Sequence, residues 1–166
     1  LSTFMGSGMS EMHEPEDDYV YEINVVNMPQ TMTFLEEVEG VEISKIEASN
    51  ADAVKKAIRE EEADILVVFP ENFDAEMLGF DVMTATTPAP NVEIYYNSAS
   101  AESSSAYSMM YEMLNGFEQS LANKFDICQD EKEYDLASDE DISAMVISMM
   151  MPMLVMMLLF TGCLSV

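Results

Sequence analysis

Catalysis needs an acid, a base and a nucleophile held within reach of one another, and this chain offers poor material for such a set. Its one histidine, His13, lies in an acidic stretch, and no serine sits in a Gly-x-Ser-x-Gly turn, so a Ser-His-Asp arrangement has no source. The cluster Ser103-Ser104-Ser105 reads better as the polar first turns of a helix. Two acidic groups, Asp139-Glu140-Asp141 and Glu14 with Glu16, Asp17 and Asp18, have the oxygen chemistry of calcium ligands. Neither follows the spaced pattern with a central glycine, and solvated linker is the simpler reading. Methionines 149, 150, 151, 153, 156 and 157 have the softness that Cu(I) prefers, but Met is an adaptable apolar residue and helix packing is the better reading. The pattern Gly6-x-Gly8 lacks a preceding strand and a third glycine, and no Gly-x-x-x-x-Gly-Lys-Ser/Thr sequence occurs. No catalytic residue, cofactor site or metal site is expected.

The residue with the firmest mechanical implication is Pro152. A proline inside a helix removes the bond to the carbonyl four residues back, here Ser148, and predicts a kink or hinge. Ser148 then either satisfies the freed backbone or faces a neighbouring helix, and Gly162 permits close helix approach. The plainer alternative is a static kink. Ser148, Pro152 and Gly162 are thus candidate hinge or helix-packing positions.

These residues lie in Ile142 to Val166, 25 residues without a charge behind Asp139-Glu140-Asp141. As a helix the segment is about 37 Å long, enough to cross a hydrocarbon core of roughly 30 Å. A buried helix of a soluble core would show a polar face, whereas the only polar side chains here are Ser143, Ser148, Thr161, Cys163 and Ser165. The segment reads as a transmembrane helix, with the lipid bilayer as its partner.

All 32 acidic and all 6 basic residues then fall in residues 1 to 141, which carry the whole net charge of -26. So acidic a surface repels phosphates, which argues against nucleic acid or anionic lipid as partner. Between 126 and 141 the sole basic residue is Lys132. Cytoplasmic flanks of a span are usually rich in Lys and Arg, so this side is expected outside the cytoplasm. Cys128 lies in the water-facing part and Cys163 in the span, so they do not readily pair. The chain starts without Met or a signal peptide and looks cut from a longer protein. Leu1 to Met9 reads either as the outer end of a preceding span or as a flexible leader.

Positioning falls to a small α/β domain. Tyr21 to Val26 predicts a first strand, and Asn27 with Pro29 caps a helix through Val38 whose apolar side is Met32, Leu35 and Val38. Val41 to about Ala48 alternates as a second strand. Ser49 and Asp52 stand at capping-box spacing before a helix to about Glu61, buried through Val54, Ala57 and Ile58. Asp64 to Phe69 is continuously apolar from Ile65 and belongs in the sheet centre. Asn72 to Leu78 is a short helix packed through Phe73 and Met77, and Gly79 to Pro90 is a loop, the segment expected to be disordered. Asn91 to Tyr96 is a fourth strand. Ser98 or Ser100 caps a long helix to about Phe125, striped by Tyr107, Met110, Leu114, Phe117, Leu121 and Phe125. Strand-helix alternation predicts a four-stranded, mainly parallel sheet of order 2-1-3-4 with flanking helices, followed by one transmembrane helix.

Two stretches resemble a known family. Ser148-Met149-Met150-Met151-Pro152-Met153-Leu154, running on to Phe160-Thr161-Gly162-Cys163-Leu164-Ser165-Val166, is similar to the second membrane span of ABC-2 type transporter permeases, in particular the NatB-like sodium-efflux group. Val25-Val26-Asn27 with Pro29, Ala63 through Phe73, and Val92 through Ser98 resemble the extracytoplasmic domain which those permeases insert between spans 1 and 2. The resemblance implies a fragment of an export permease, possessing no ATP site of its own. It would dimerise with a second permease subunit, homo- or heterodimeric, and be driven by a cytoplasmic ABC ATPase subunit. It further implies that cytoplasmic coupling contacts lie beyond the second span. The expected organisation is 1–18 leader or linker, 19–128 extracytoplasmic α/β domain, 129–141 acidic linker and 142–166 transmembrane helix. The competing reading is a membrane-anchored extracytoplasmic sensor or ligand-binding domain, its pocket rimmed by strand ends near Asn27, Ala48, Pro70 and Asn97.

Overall fold

The computed structural model describes residues 19–81, 83–130 and 132–163. His13, the acidic group from Glu14 to Asp18, the Gly6-x-Gly8 pattern, the reading of Leu1 to Met9 and the final residues of the predicted span lie outside them.

Five strands form one mixed sheet in the order β2-β1-β3-β4-β5. β1 (Tyr21–Val26) pairs in parallel with β2 (Val41–Ile46), Tyr21 opposite Val41, and with β3 (Ile65–Val68), Ile23 opposite Ile65. β3 is central, as its unbroken apolar run predicts, and Ile65, Leu66 and Val67 are fully buried. The expected neighbour order holds for the first four strands. The sheet stays mainly parallel but has five strands rather than four, and one of its pairings is reversed. β4 (Asn91–Tyr95) runs antiparallel to β3, with Leu66 opposite Tyr95, and a short fifth strand, β5 (Asp126–Ile127), pairs in parallel with β4. The reason is the connection. α2 (Phe73–Gly79) rises only about 10 Å, too little to return the chain across the sheet. Pro70, Phe80 and Asn91 therefore line one cavity, and β4 starts at the end where β3 finishes.

Alternation along the strands makes two faces. Ile23, Val25, Ile65, Val67, Val92 and Ile94 form the main core with Phe73 and Met77 of α2 and with Ala106, Met110 and Leu114 of α3 (Ala101–Ser120). Phe69, Phe73 and Phe125 stack in sequence, with ring centroids 5.2 and 5.3 Å apart and edges toward faces. On the other face Val26, Leu66 and Tyr95 meet Ile58 of α1 (Ala51–Arg59) and Leu136. Lys55 Nζ lies 3.5 Å from the centroid of the Tyr95 ring.

Several local expectations change. The helix after β1 is a 3-10 helix, Gln30–Glu37, preceded by Pro29; Met32 and Leu35 are its buried residues. Asn27 does not cap it. With φ at 55° the Asn27 backbone is left-handed, which Asn tolerates better than most residues, and its side-chain amide donates to the Phe69 carbonyl at 3.0 Å. Ser49 does not cap α1 either: a 3-10 turn, Ala48–Asn50, leads into the helix, and the Ser49 hydroxyl turns to Glu47. Of the two serines offered as caps for α3, Ser100 performs that role, accepting from the Ser103 amide at 3.2 Å. α3 stops at Ser120 rather than near Phe125, because Ala122 and Asn123 take positive φ and turn the chain. Gly79 still belongs to α2; the described residues from Phe80 to Pro90 form neither helix nor strand, with amides of Thr84 and Ala85 donating to the Asp81 carbonyl. Cys128 is a free thiol.

Candidate functional site

α4 (Asp139–Cys163) is the one described helix long and apolar enough to cross a membrane, and none of its side chains from 139 to 160 is buried. It begins three residues before the predicted span because its start is capped. Ser138 and Asp141 form a capping box: the Asp141 amide donates to Ser138 Oγ at 3.1 Å, and the Ser138 amide donates to Asp141 Oδ2 at 3.3 Å. The Ser138 hydroxyl also donates to Asp141, and the Ile142 amide to the Ser138 carbonyl at 3.0 Å. Asp139, Glu140 and Asp141 fill the first turn, where the helix dipole favours negative charge. The Ser-x-x-Asp spacing before an apolar run is a readable signal for this cap, within a stretch whose composition otherwise reads as acidic linker.

α4 runs on through Pro152. Pro152 has no N–H to give the Ser148 carbonyl, and the Ser148 hydroxyl donates instead to the Met145 carbonyl at 2.8 Å. On a 3.6-residue period Ser148 and Pro152 share one face, and Gly162, in the last turn, falls on the same side of the helix. No cluster of His, Cys, Asp or Glu among the described residues has the arrangement of a metal site.

The root of α4 is tied to the sheet. Leu136 N donates to Tyr96 O at 2.7 Å, and Tyr96 N to Tyr134 O at 3.1 Å. Asp135 Oδ1 accepts from the amides of Ser98 and Ala137, both at 3.0 Å. Burial pushes the Asp135 carboxyl up, but the bonds from Ser98 and Ala137 outweigh it and hold it below the ordinary aspartate value. Tyr134 and Leu136 thus join the second core cluster, although their stretch reads as acidic linker.

The incoming chain reaches the same end of the sheet. Tyr19 Oη donates to Asp64 Oδ1 and the Glu22 amide to Asp64 Oδ2, both at 2.8 Å. Burial, then the bond to Asp64, raises the Tyr19 phenol well above its usual value. The reversed β4 divides the residues expected to rim one pocket. Asn27 and Pro70 line a cavity of about 360 Å³ with Gln30, Asn72 and Asp74. Asn97 lies at the opposite end, fully buried, its side chain donating to the Ile58 carbonyl at 3.2 Å.

An exposed helix of span length, uncharged beyond its acidic first turn and rooted on an α/β unit, is an arrangement for membrane attachment rather than for chemistry in solution. Comparison with protein families gives a match over residues 1–166 to the ABC-2 family transporter protein model. The chain belongs to the ABC-2 family of transporter proteins. That membership makes it membrane permease material of an ABC system, located in the membrane and working with an ABC ATPase partner. The ABC-2 component is the transporter's membrane part and not its catalytic one. Comparisons with curated proteins and with solved structures give no match.

Proposed function

We propose that this ABC-2 chain comprises the extracytoplasmic domain and second span of an export permease of the NatB-like, sodium-efflux group. The observation that carries the reading is the shared end of the sheet: the chain comes in at Tyr19 and leaves into α4 at Ser138 on the same side, as a domain inserted between two spans requires. In this organisation residues 1–18 lead from a first span, 19–128 are the outer domain, 129–141 carry the chain back, and 142–166 descend through the bilayer. The flank of α4 supports the outward placement, with Lys132 its only basic residue between 126 and 141. The permease pairs with a second permease subunit as well as with the ATPase. Ser148, Pro152 and Gly162 are its hinge or helix-packing positions.

Sodium rests on the resemblance of the Ser148–Leu154 and Phe160–Val166 stretches. Its test is sodium flux in vesicles containing the full permease and its ATPase. ATP-dependent sodium movement is expected; none would remove the substrate while leaving the family and fold in place.

A further inference from the structure

We propose that the end of the sheet from which α4 departs is a clasp, closed by Asp135, that makes the incoming chain at Tyr19 and the root of α4 move as one rigid body. This deepens the reading of a domain set between two spans, and its functional consequence rests on that reading.

The clasp has two halves that meet at consecutive residues. In the first, Asp64 receives the incoming chain through Tyr19 Oη and the Glu22 amide. The Asp64 carbonyl accepts from Ser103 Oγ at 2.6 Å, and that hydroxyl accepts from the Asn97 amide at 2.8 Å. Ser103 thus gives its single hydrogen one way and takes one from the other, so the relay is complete at each atom. Asp64, Asn97 and Ser103 are 6%, 0% and 1% exposed, which removes water as a competing partner. In the second half, the next amide, Ser98 N, donates to Asp135, which also holds Ala137 N. The backbone bonds between Tyr96 and residues 134 and 136 flank that contact on the sheet side.

Spacing turns the network into a device. Ala137 is bound to Asp135, and the next residue, Ser138, is already the cap of α4. No free residue lies between sheet and helix. A flexible connection would let α4 tilt independently of the domain, whereas this one forces a tilt of α4 to carry β3, β4 and Tyr19 with it. Asp135 is a positioning residue in this scheme.

The test uses the chain in lipid vesicles, with Cys128 and Cys163 replaced by Ala and spin labels on V20C and E140C. Electron–electron distance measurement is expected to give one narrow distribution. D135A should broaden it by about twofold or more, and D135N, which keeps an acceptor oxygen for Ser98 and Ala137, should restore it. Two glycines inserted between Ala137 and Ser138 leave every sheet contact in place, so the domain's thermal unfolding should not change while the distance distribution broadens. This insertion decides the matter even if D135A fails to fold. A broad distribution in the parent, a narrow one in the insertion variant, or a narrow one in a folded D135A would overturn the clasp. The distance readout needs no transport, so it stands or falls separately from sodium flux. In the complete permease, loss of ATP-driven flux on insertion, with the domain's unfolding unaltered, is the expected consequence of uncoupling.

Discussion

Asp135 gains its position from two backbone amides, and those amides set its response to pH. A carboxyl whose folded value is depressed contributes stability that is fully present above the unfolded value, about 3.9 for aspartate, and lost as pH falls through the lower folded value. The contact between residues 96–98 and 134–137 should therefore hold through mildly acidic pH and open only below about pH 4. Amide exchange at Ser98 and Ala137 followed against pH measures it; protection lost near neutrality would mean that another group controls the contact. Ser138 offers a second reading at this scale. S138A removes the hydroxyl half of the capping box, leaving the residue-138 amide on Asp141, and should cost about 0.5–2 kcal/mol, seen as faster exchange at Asp141 and Ile142 with the sheet amides unaffected. In the core, F73A removes a fully buried ring that stacks on Phe69 and Phe125, and should cost about 3–5 kcal/mol in denaturant unfolding.

For whole elements, Pro152 poses the functional question. P152A returns an N–H to the Ser148 carbonyl and stiffens α4 without changing its apolar character. If bending there belongs to the transport cycle, transport by the complete permease slows; unchanged rates would take the hinge out of the mechanism. The existence of α4 was legible because an uncharged run of span length has few alternatives, and β1, β3 and their neighbour order were legible because burial writes itself into apolar runs. Strand direction was not. The alternation of Val92, Ile94 and Tyr96 is the same read forward or backward, so the antiparallel β4 depends on how far α2 carries the chain. β5, two residues long, is too short for any period to register. The clasp was illegible for a different reason: Tyr19, Asp64, Asn97, Ser103 and Asp135 are ordinary polar residues, and all but the close pair Asn97 and Ser103 are far apart in sequence. Only the closed sheet makes them neighbours.

The molecule as a whole is divided by charge. All 32 acidic residues precede Ile142, while α4 from Ile142 to Phe160 exposes only apolar and small polar side chains, so one part demands water and the other a medium without it. The clasp joins the two parts without a loose connection, so the orientation of the domain above the bilayer follows from that of the helix below. Which side of the bilayer carries the acidic part is then a single binary question. Basic residues hold cytoplasmic flanks in place, and this flank has Lys132 alone between 126 and 141, itself paired with Glu93 and Asp130. We therefore expect E133C, an exposed position in the complete permease with Cys128 and Cys163 replaced by Ala, to react with a membrane-impermeant maleimide added to intact cells. Reaction only after permeabilisation would place the domain in the cytoplasm. That result would end the extracytoplasmic reading and leave the family, the sheet and the clasp untouched, because none of them depends on which side of the membrane the acidic domain occupies.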